Sequence, residues 1–454
     1  MLADIIFSRE AQARGPSPLK SLLPYMGPGV ISLGGGLPHP STFPFLDMTV
    51  NVRSPSSTRD TSPSLTLHVP HTSREGAGSP AFSTLLQYGG GVGYPSFQAW
   101  AKGEMERIGA TPGYEGWDVV QTAGNTDGID KTLRVLCNPG DTVFVEQYCY
   151  PGFVESARAM GLQLYAVEMD EEGMVPESLR KAVKKAREGK APLMTRVLYL
   201  VPTGQNPTGR SMGIERRKEI LKCAVDLDLL IIEDDPYYHL QYPEEGTSGE
   251  NSPALLPPLL SLDTQGRVIR LDTLSKVLSP GLRCGSLTAQ ASLCQRVVYN
   301  NEVSIQRPSG FTEAIVESLM RSWGPTGWDE HLQGVRDTYR RRRDALLRVC
   351  ERELKGLAEW TVPVAGMFIW MRLSLPAHIV EGTEGFMDQF FQDAVRAGVL
   401  IVPSWQFAVP DPITGTINKD VPTFRTTFAY AGEEEMDQAI VRLAGVIRQY
   451  QEKM

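Results

Sequence analysis

"LDTLSKVLSPGLRCG" (Leu271–Gly285) lies between two β-rich runs, "RVIRLDT" (267–273) and "CGSLTAQ" (284–290). Two small hydroxyl residues, Thr273 and Ser275, flank the approach to one lysine, Lys276, and Arg283 follows a Pro-Gly turn. A lysine in a loop is ordinarily solvated. This one follows a strand, in a segment already supplied with hydroxyls and a second cation.

Outward from that stretch the chain alternates. The segments "WDVVQTAG", "DTVFVEQ", "LQLYAVEM", "RVLYLVP" and "DLLIIEDD" are β-rich, and helical patterns cover 126–137, 151–161, 176–188 and 213–227. Such alternation predicts an α/β domain with a mostly parallel sheet, which binds ligands at the carboxyl ends of its strands. From about residue 330 the texture becomes a smaller α+β domain: a long charged helix, then the strands "GMFIWMRL", "GVLIVPSWQF" and "TFRTTFAY", then an amphipathic helix. The expected division is an N-terminal arm (1–45), a large domain (46–329) and a small domain (330–454). The Ser/Thr/Pro-rich stretch 51–80 and the stretch 243–258 read as exposed insertions or loops.

Composition narrows the class. With 454 residues, 41% of them hydrophobic and 22% charged, the chain can bury a sizeable core. Lys and Arg total 45 against 53 Asp and Glu, a net charge of −8, which argues against nucleic acid or an anionic membrane as the partner. The cysteines at 137, 149, 223, 284, 294 and 350 form no Cys-x-x-Cys pair, and the six histidines add no metal-ligand spacing, so no metal is expected. The start "MLADIIFSREAQARGPSP" reads as neither a secretory signal nor a transit peptide, and no stretch is apolar enough to span a bilayer. A cytoplasmic enzyme is the expectation. The run Arg340–Arg343 reads as a solvated helix face.

Polar residues gather where strands end. "QTAGNTDG" (121–128) ends a strand and opens a helix, placing backbone N–H groups, Asn125 and Thr126 at a helix N-terminus. That suits a phosphate, although taken alone plain N-capping by Asn or Thr is the favoured reading. "VPTGQNPTGR" (201–210), taken alone, is a turn. "LLIIEDDPYYHL" (229–240) ends an apolar strand in Glu233, Asp234 and Asp235. Acids at the mouth of a buried strand are costly unless a cation meets them, or unless one serves as a cap. The conjunction of a phosphate cradle, a strand-end acid, a tyrosine, a lysine and a second cation points to an amine nucleophile acting on a phosphorylated aldehyde cofactor.

With "NPTG", "EDDPYY" and "SKVLSPGLRCG" in this order and spacing, the chain resembles the fold-type I, pyridoxal-phosphate-dependent class I aminotransferases. Within them it looks most like the fungal aromatic amino acid aminotransferases and the kynurenine/2-aminoadipate branch, from "GPSPLK" and "ISLGGGLP" to "TFRTTF". The resemblance implies a large domain with a mostly parallel seven-stranded sheet and a homodimer with composite active sites. It makes Lys276 the Schiff-base lysine and proton shuttle, and Asp234 the partner of the pyridine nitrogen. Tyr237 and Asn206 would meet the ring hydroxyl, and Tyr150 would stack on the ring. Asn125, Thr126, Thr273, Ser275 and Arg283 would hold the phosphate, joined by Tyr88 of the neighbouring subunit. Arg425 would clamp the substrate α-carboxylate, with Asn206, Gly36 and Lys20 also on the substrate side. The implied reaction moves the amino group of Tyr, Phe or Trp to 2-oxoglutarate by a ping-pong mechanism.

Four residues depart from patterns seen in the family. Lys20 stands where kynurenine-type relatives often carry Arg, Ser404 in "PSWQF" stands where Gly is usual, and Asn125-Thr126 stands where some relatives have Ser-Gln. Kynurenine or 2-aminoadipate transfer, a lyase on the same cofactor, and a non-catalytic effector-sensing domain remain as alternatives. The last is not expected, because such sensors carry an N-terminal DNA-binding domain and the N-terminal arm here reads as short, Gly/Pro-rich and not basic.

Overall fold

The computed structural model describes residues 3–19, 22, 25, 29–31, 33–34, 36–55, 64–72, 81–188, 196–242, 255–376, 385–412 and 414–451. The apolar runs become strands with both faces covered. They are β3 (Trp117–Thr122), β4 (Thr142–Glu146), β5 (Gln163–Val167), β8 (Val197–Leu200), β9 (Leu230–Asp234), β10 (Val268–Thr273) and β11 (Gly285–Gln290). Every residue of β4, β8, β9 and β11 is buried, as strands flanked on both faces by helices require. The seven strands run in the order β3-β11-β10-β9-β8-β4-β5. β4, β5, β8 and β9 pair in parallel, and β11 is antiparallel to both β3 and β10, so the sheet is mixed.

The chain forms two compact units. The first comprises Met1–Asn138 and Leu260–Val335, the second Pro139–Leu259 and Arg336–Met454. The first unit carries β3, β10 and β11 with the helices Pro95–Arg107, Asn125–Leu136 and Ala291–Val303. Its N-terminal segment is tied down: Ser8 donates its backbone N–H to the Val135 carbonyl at 2.8 Å, and its Oγ caps the short helix Arg9–Ala13. The stretch 51–80 is corrected in part. β1 (Asp47–Arg53) pairs antiparallel with β2 (Ser64–Pro70), although Ser/Thr/Pro content argued for a loop. "SLTLHVP" alternates in period two and buries Leu67 and Val69, which drives the pairing. Residues 56–63 and 73–80 of that stretch, and 243–254 of the second one, lie outside the described residues.

The second unit carries β4, β5, β8 and β9 with the helices Pro151–Ala159, Pro176–Glu188 and Ile214–Asp226, and the ribbon β6 (Met169–Asp170) with β7 (Gly173–Met174). It also holds an antiparallel sheet, β12 (Ala358–Trp360), β13 (Phe368–Leu373), β15 (Thr423–Thr427) and β14 (Val402–Pro403) in that spatial order. Helices Phe386–Arg396 and Glu433–Gln451 cover it, burying Phe386, Phe390, Phe424, Phe428, Leu443 and Ile447 in one cluster. Each such side chain contributes about 2 kcal/mol of apolar burial.

The arginine run is a solvated face only in part: Arg341 is exposed, while Arg342 and Arg343 turn inward. Arg342 donates to the carbonyls of Phe428 and Ala431, and Arg343 donates to the Pro363 carbonyl and lies over the Tyr242 ring. Both side chains bind orphan loop carbonyls while their stems cover apolar surface. Among the described residues, no helix is long and apolar enough to cross a membrane.

Candidate active site

In the first unit, strand register gathers one cluster. Thr273 lies opposite Gly285, and Gly285 lies opposite Thr122, so three strands end in one row. The segments leaving that row carry Gly124-Asn125, Ser275-Lys276 and Arg283. Gly285 is required there, because a Cβ on it would fall 2.5 Å from the Asp272 carbonyl oxygen and 3.0 Å from the Gly124 Cα. Gly124 (φ +93°) N-caps the helix Asn125–Leu136 without a side-chain cap, leaving amides at its first turn for another acceptor. A Cβ on Gly124 would meet Nη2 of Arg283 at 2.5 Å, so the glycine is what lets the guanidinium lie over the helix start.

The donors converge. Arg283, itself left-handed at φ 50°, donates Nη2 to the Ala123 carbonyl at 2.9 Å and Nη1 to Ser275 Oγ at 3.3 Å. Thr273 Oγ1 and Ser275 Oγ are 2.8 Å apart. Asn125 Nδ2 donates to the Leu271 carbonyl at 3.1 Å, and Thr126 is exposed on the first turn. Asp127, buttressed by the buried Lys131, accepts from the Ala123 N–H at 2.9 Å and holds the loop from below. Hydroxyls, uncapped amides and a guanidinium fit a phosphate. Lys276 closes the 3-10 turn Leu274–Lys276 and is half-buried.

In the second unit, the parallel strands β4, β8 and β9 deliver a second cluster at their carboxyl ends. Asp234, 4% exposed, accepts from the Tyr199 hydroxyl at 2.7 Å through Oδ2. Register sets Tyr199 opposite Ile232, so Asp234, two residues on, shares its face. Phe153 stacks on Tyr199 at 3.7 Å between centroids. Burial raises the Tyr199 and Tyr237 phenols well above their usual value, and the Asp234 charge adds to both shifts, so both are neutral donors. Burial likewise pushes Glu146 up to about 8, with the Asp234 charge adding to it, so Glu146 holds a proton at neutral pH. Tyr150 precedes the helix Pro151–Ala159, and its ring lies against Gly152, where a Cβ would fall 2.6 Å from the ring carbons.

Arg425, on β15, donates Nη1 to Asn206 Oδ1 at 2.7 Å. The rings of Phe368 and Phe407 lie 4.3 and 4.8 Å from its guanidinium carbon. Its Nε is buried without a hydrogen-bond partner among the described residues, and besides burial the group acting on its charge is the Tyr237 phenol. Burial pulls its pKa down, so the charge is destabilised until an anion arrives. The departure at Ser404 is absorbed locally. Ser404 Oγ donates to the Val421 carbonyl at 3.2 Å, and its own carbonyl accepts from the Phe407 N–H at 2.9 Å, fixing the turn that carries Phe407.

Of the remaining expected residues, Tyr88 is 58% exposed, Gly36 is exposed with open space around it, and Lys20 lies outside the described residues. Sequence reasoning missed Tyr199, Phe153, Glu146 and Phe368. Only the tyrosine inside the otherwise aliphatic strand "RVLYLVP" hinted at a polar partner for Asp234.

Known proteins resemble this chain. The family of class I and II aminotransferases matches residues 57–443. An aromatic amino acid aminotransferase of Schizosaccharomyces pombe is 36% identical over 97% of this chain and 96% of its own length. The mitochondrial kynurenine/alpha-aminoadipate aminotransferase of Bos taurus is 33% identical over 96% and 97%. The crystal structure of the aminotransferase Aro8 from Candida albicans superposes with a TM-score of 0.88 at 34% identity, covering 99% of each chain.

Proposed function

Because the chain belongs to the class I and II aminotransferases, we propose that it moves the amino group of tyrosine, phenylalanine or tryptophan to 2-oxoglutarate. Membership makes it a pyridoxal-phosphate-dependent transferase acting between amino acids and oxo acids. The observation that carries the substrate reading is Arg425, an unpaired cation held by Asn206 and walled by Phe368 and Phe407. A guanidinium with a free donor edge suits a carboxylate, and aromatic walls suit an aromatic side chain.

The cofactor, when bound, supplies an electrophilic carbon for the amine and an electron sink for the Cα carbanion. In this reading Asn125, Thr126, Thr273, Ser275 and Arg283 bind its phosphate. Asp234, steadied by Tyr199, holds the proton on the pyridine nitrogen. Tyr237 and Asn206 bind the ring oxygen, and Tyr150 covers one ring face. Lys276 anchors the resting cofactor through Nζ and then carries the Cα proton. Donor and acceptor present their α-carboxylates to Arg425 in turn, so initial-rate plots at several fixed acceptor concentrations run parallel.

The reading includes a homodimer in which Tyr88 serves the neighbouring subunit, a small C-terminal domain (330–454) and an N-terminal arm (1–45) that brings Gly36 and Lys20 to the substrate. It also includes a cytoplasmic location, which cell fractionation tests against the mitochondrial alternative. Transfer from kynurenine or 2-aminoadipate is the second reading, supported by the Bos taurus relative. Turnover with 2-oxoglutarate across a panel of aromatic, kynurenine and 2-aminoadipate donors decides between them. A preference for 2-aminoadipate, with aromatic donors inert, rejects the first reading.

A further inference from the structure

We propose that Glu146 is a positioning residue for substrate binding, aligning Asn206 and hence Arg425 through Gln205. The inference rests on the reading of Arg425 as the carboxylate clamp. Glu146 ends β4 and is 1% exposed, an expensive place for a carboxyl group. Its Oε2 accepts from the Val201 N–H at 3.1 Å and from Gln205 Nε2 at 3.2 Å.

Gln205 in turn commits each of its polar groups. Nε2 also donates to the Tyr148 carbonyl at 2.6 Å. Oε1 accepts from the Thr208 N–H at 2.9 Å and from Thr208 Oγ1 at 2.7 Å. Its backbone N–H donates to the Arg210 carbonyl at 2.8 Å. The turn is thereby closed on both sides of Asn206, whose Oδ1 is the acceptor that orients Arg425 Nη1. The chain of contacts leads from a buried acid on one strand to the guanidinium on another. Removing its first link leaves the Gln205 amide short of an acceptor and lets the turn relax, and the guanidinium loses its fixed acceptor.

Glu146 also carries what a passive strand tie does not need. Its Oε1 is buried and makes no hydrogen bond among the described residues, so only the Oε2 side is used. A neutral side chain of the same shape with one oxygen on that side therefore satisfies the same donors. E146Q preserves the link, and E146A cuts it.

The test is calorimetric titration of the holoenzyme with 3-phenylpropionate, a carboxylate that has no amine to transfer. E146A is expected to raise its Kd about tenfold, the scale of one lost supporting hydrogen bond. E146Q is expected to bind as the wild type does. If E146A loses thermal stability while its Kd for the probe stays at the wild-type value, Glu146 is only a strand tie and the proposal falls. Should E146A not fold, Q205M cuts the same link from the other side and must weaken the probe; unchanged binding in it overturns the proposal. R425Q is run in parallel. If it binds the probe normally, the clamp reading itself has failed, an outcome distinct from a normal E146A beside a weakened R425Q.

Discussion

Arg425 Nη1 donates to Asn206 Oδ1 at 2.7 Å while its Nε stays buried without a hydrogen-bond partner among the described residues, so one donor of the guanidinium is fixed and another is left unsatisfied. A fixed fork is what distinguishes arginine from lysine at such a place. Arg425→Lys keeps the charge but loses the planar pair of donors. Its kcat/KM is expected to fall about a hundredfold or more, by similar factors for aromatic donors and for 2-oxoglutarate, because both present an α-carboxylate. A loss confined to one of the two, measured in separate half-reactions, assigns Arg425 to a side-chain contact instead.

Neighbouring acids give a sharper test. Asp234 accepts from the buried Tyr199 hydroxyl, whereas Asp235 accepts from Thr203 Oγ1 at 3.2 Å. Asp234→Asn is expected to keep the cofactor but slow Cα proton removal about a thousandfold, since one fixed charge in a dry site is worth several kcal/mol in the transition state. Asp235→Asn is expected to retain most of the rate. The Cα-deuterium isotope effect in single-turnover experiments reports the step directly. If Asp235→Asn proves the crippled variant, the assignment of the ring partner is off by one residue.

Much of this arrangement was legible in the sequence. β3, β8 and β9 are short apolar runs closed by Gly124, Pro202 and Asp234 to Pro236, and residues with chemistry to offer stand at or just after those closures. The hairpin β1–β2 was hidden because its outward positions are Ser, Thr, Asn and His, which lowered the apparent order of a segment whose inward positions alternate apolar. Arg342 and Arg343 were misread for a different reason. A helix sequence shows which residues share a face but not which distant carbonyls, here those of Phe428 and Pro363, will come to meet it. Tyr199 and Glu146 sit in strands that read as plain apolar segments. Their roles depend on cross-strand register, which no single segment encodes.

Lys276 and Tyr88 lie far apart in sequence, and the proposed homodimer divides their labour between subunits. Lys276→Ala is expected to lose nearly all turnover and to retain no cofactor after borohydride reduction and denaturation. Tyr88→Ala is expected to weaken cofactor binding. Mixing the two inactive proteins under conditions of demonstrated subunit exchange should restore up to roughly a quarter of the wild-type sites, those built wholly from intact halves. No recovery argues that each site is complete within one chain.

Glu146 makes stability depend on pH in a stated direction. Burial raises its carboxyl from the ordinary 4.5 to about 8, so between those values the folded chain holds a proton that the unfolded chain has released. Its contribution to stability is therefore full below the unfolded value and is lost as pH rises through about 8. The effect is on the order of a few kcal/mol across the whole interval. E146Q, which mimics the protonated acid and cannot ionise, removes this dependence. Denaturant midpoints measured from pH 5 to pH 9 are expected to fall more steeply for the wild type than for E146Q, with the two curves closest at the acid end, separating progressively from about pH 5 and running parallel above about pH 8. Curves that run parallel over that range mean that Glu146 is ionised in the folded chain, and the charge balance beside Asp234 must then come from another group.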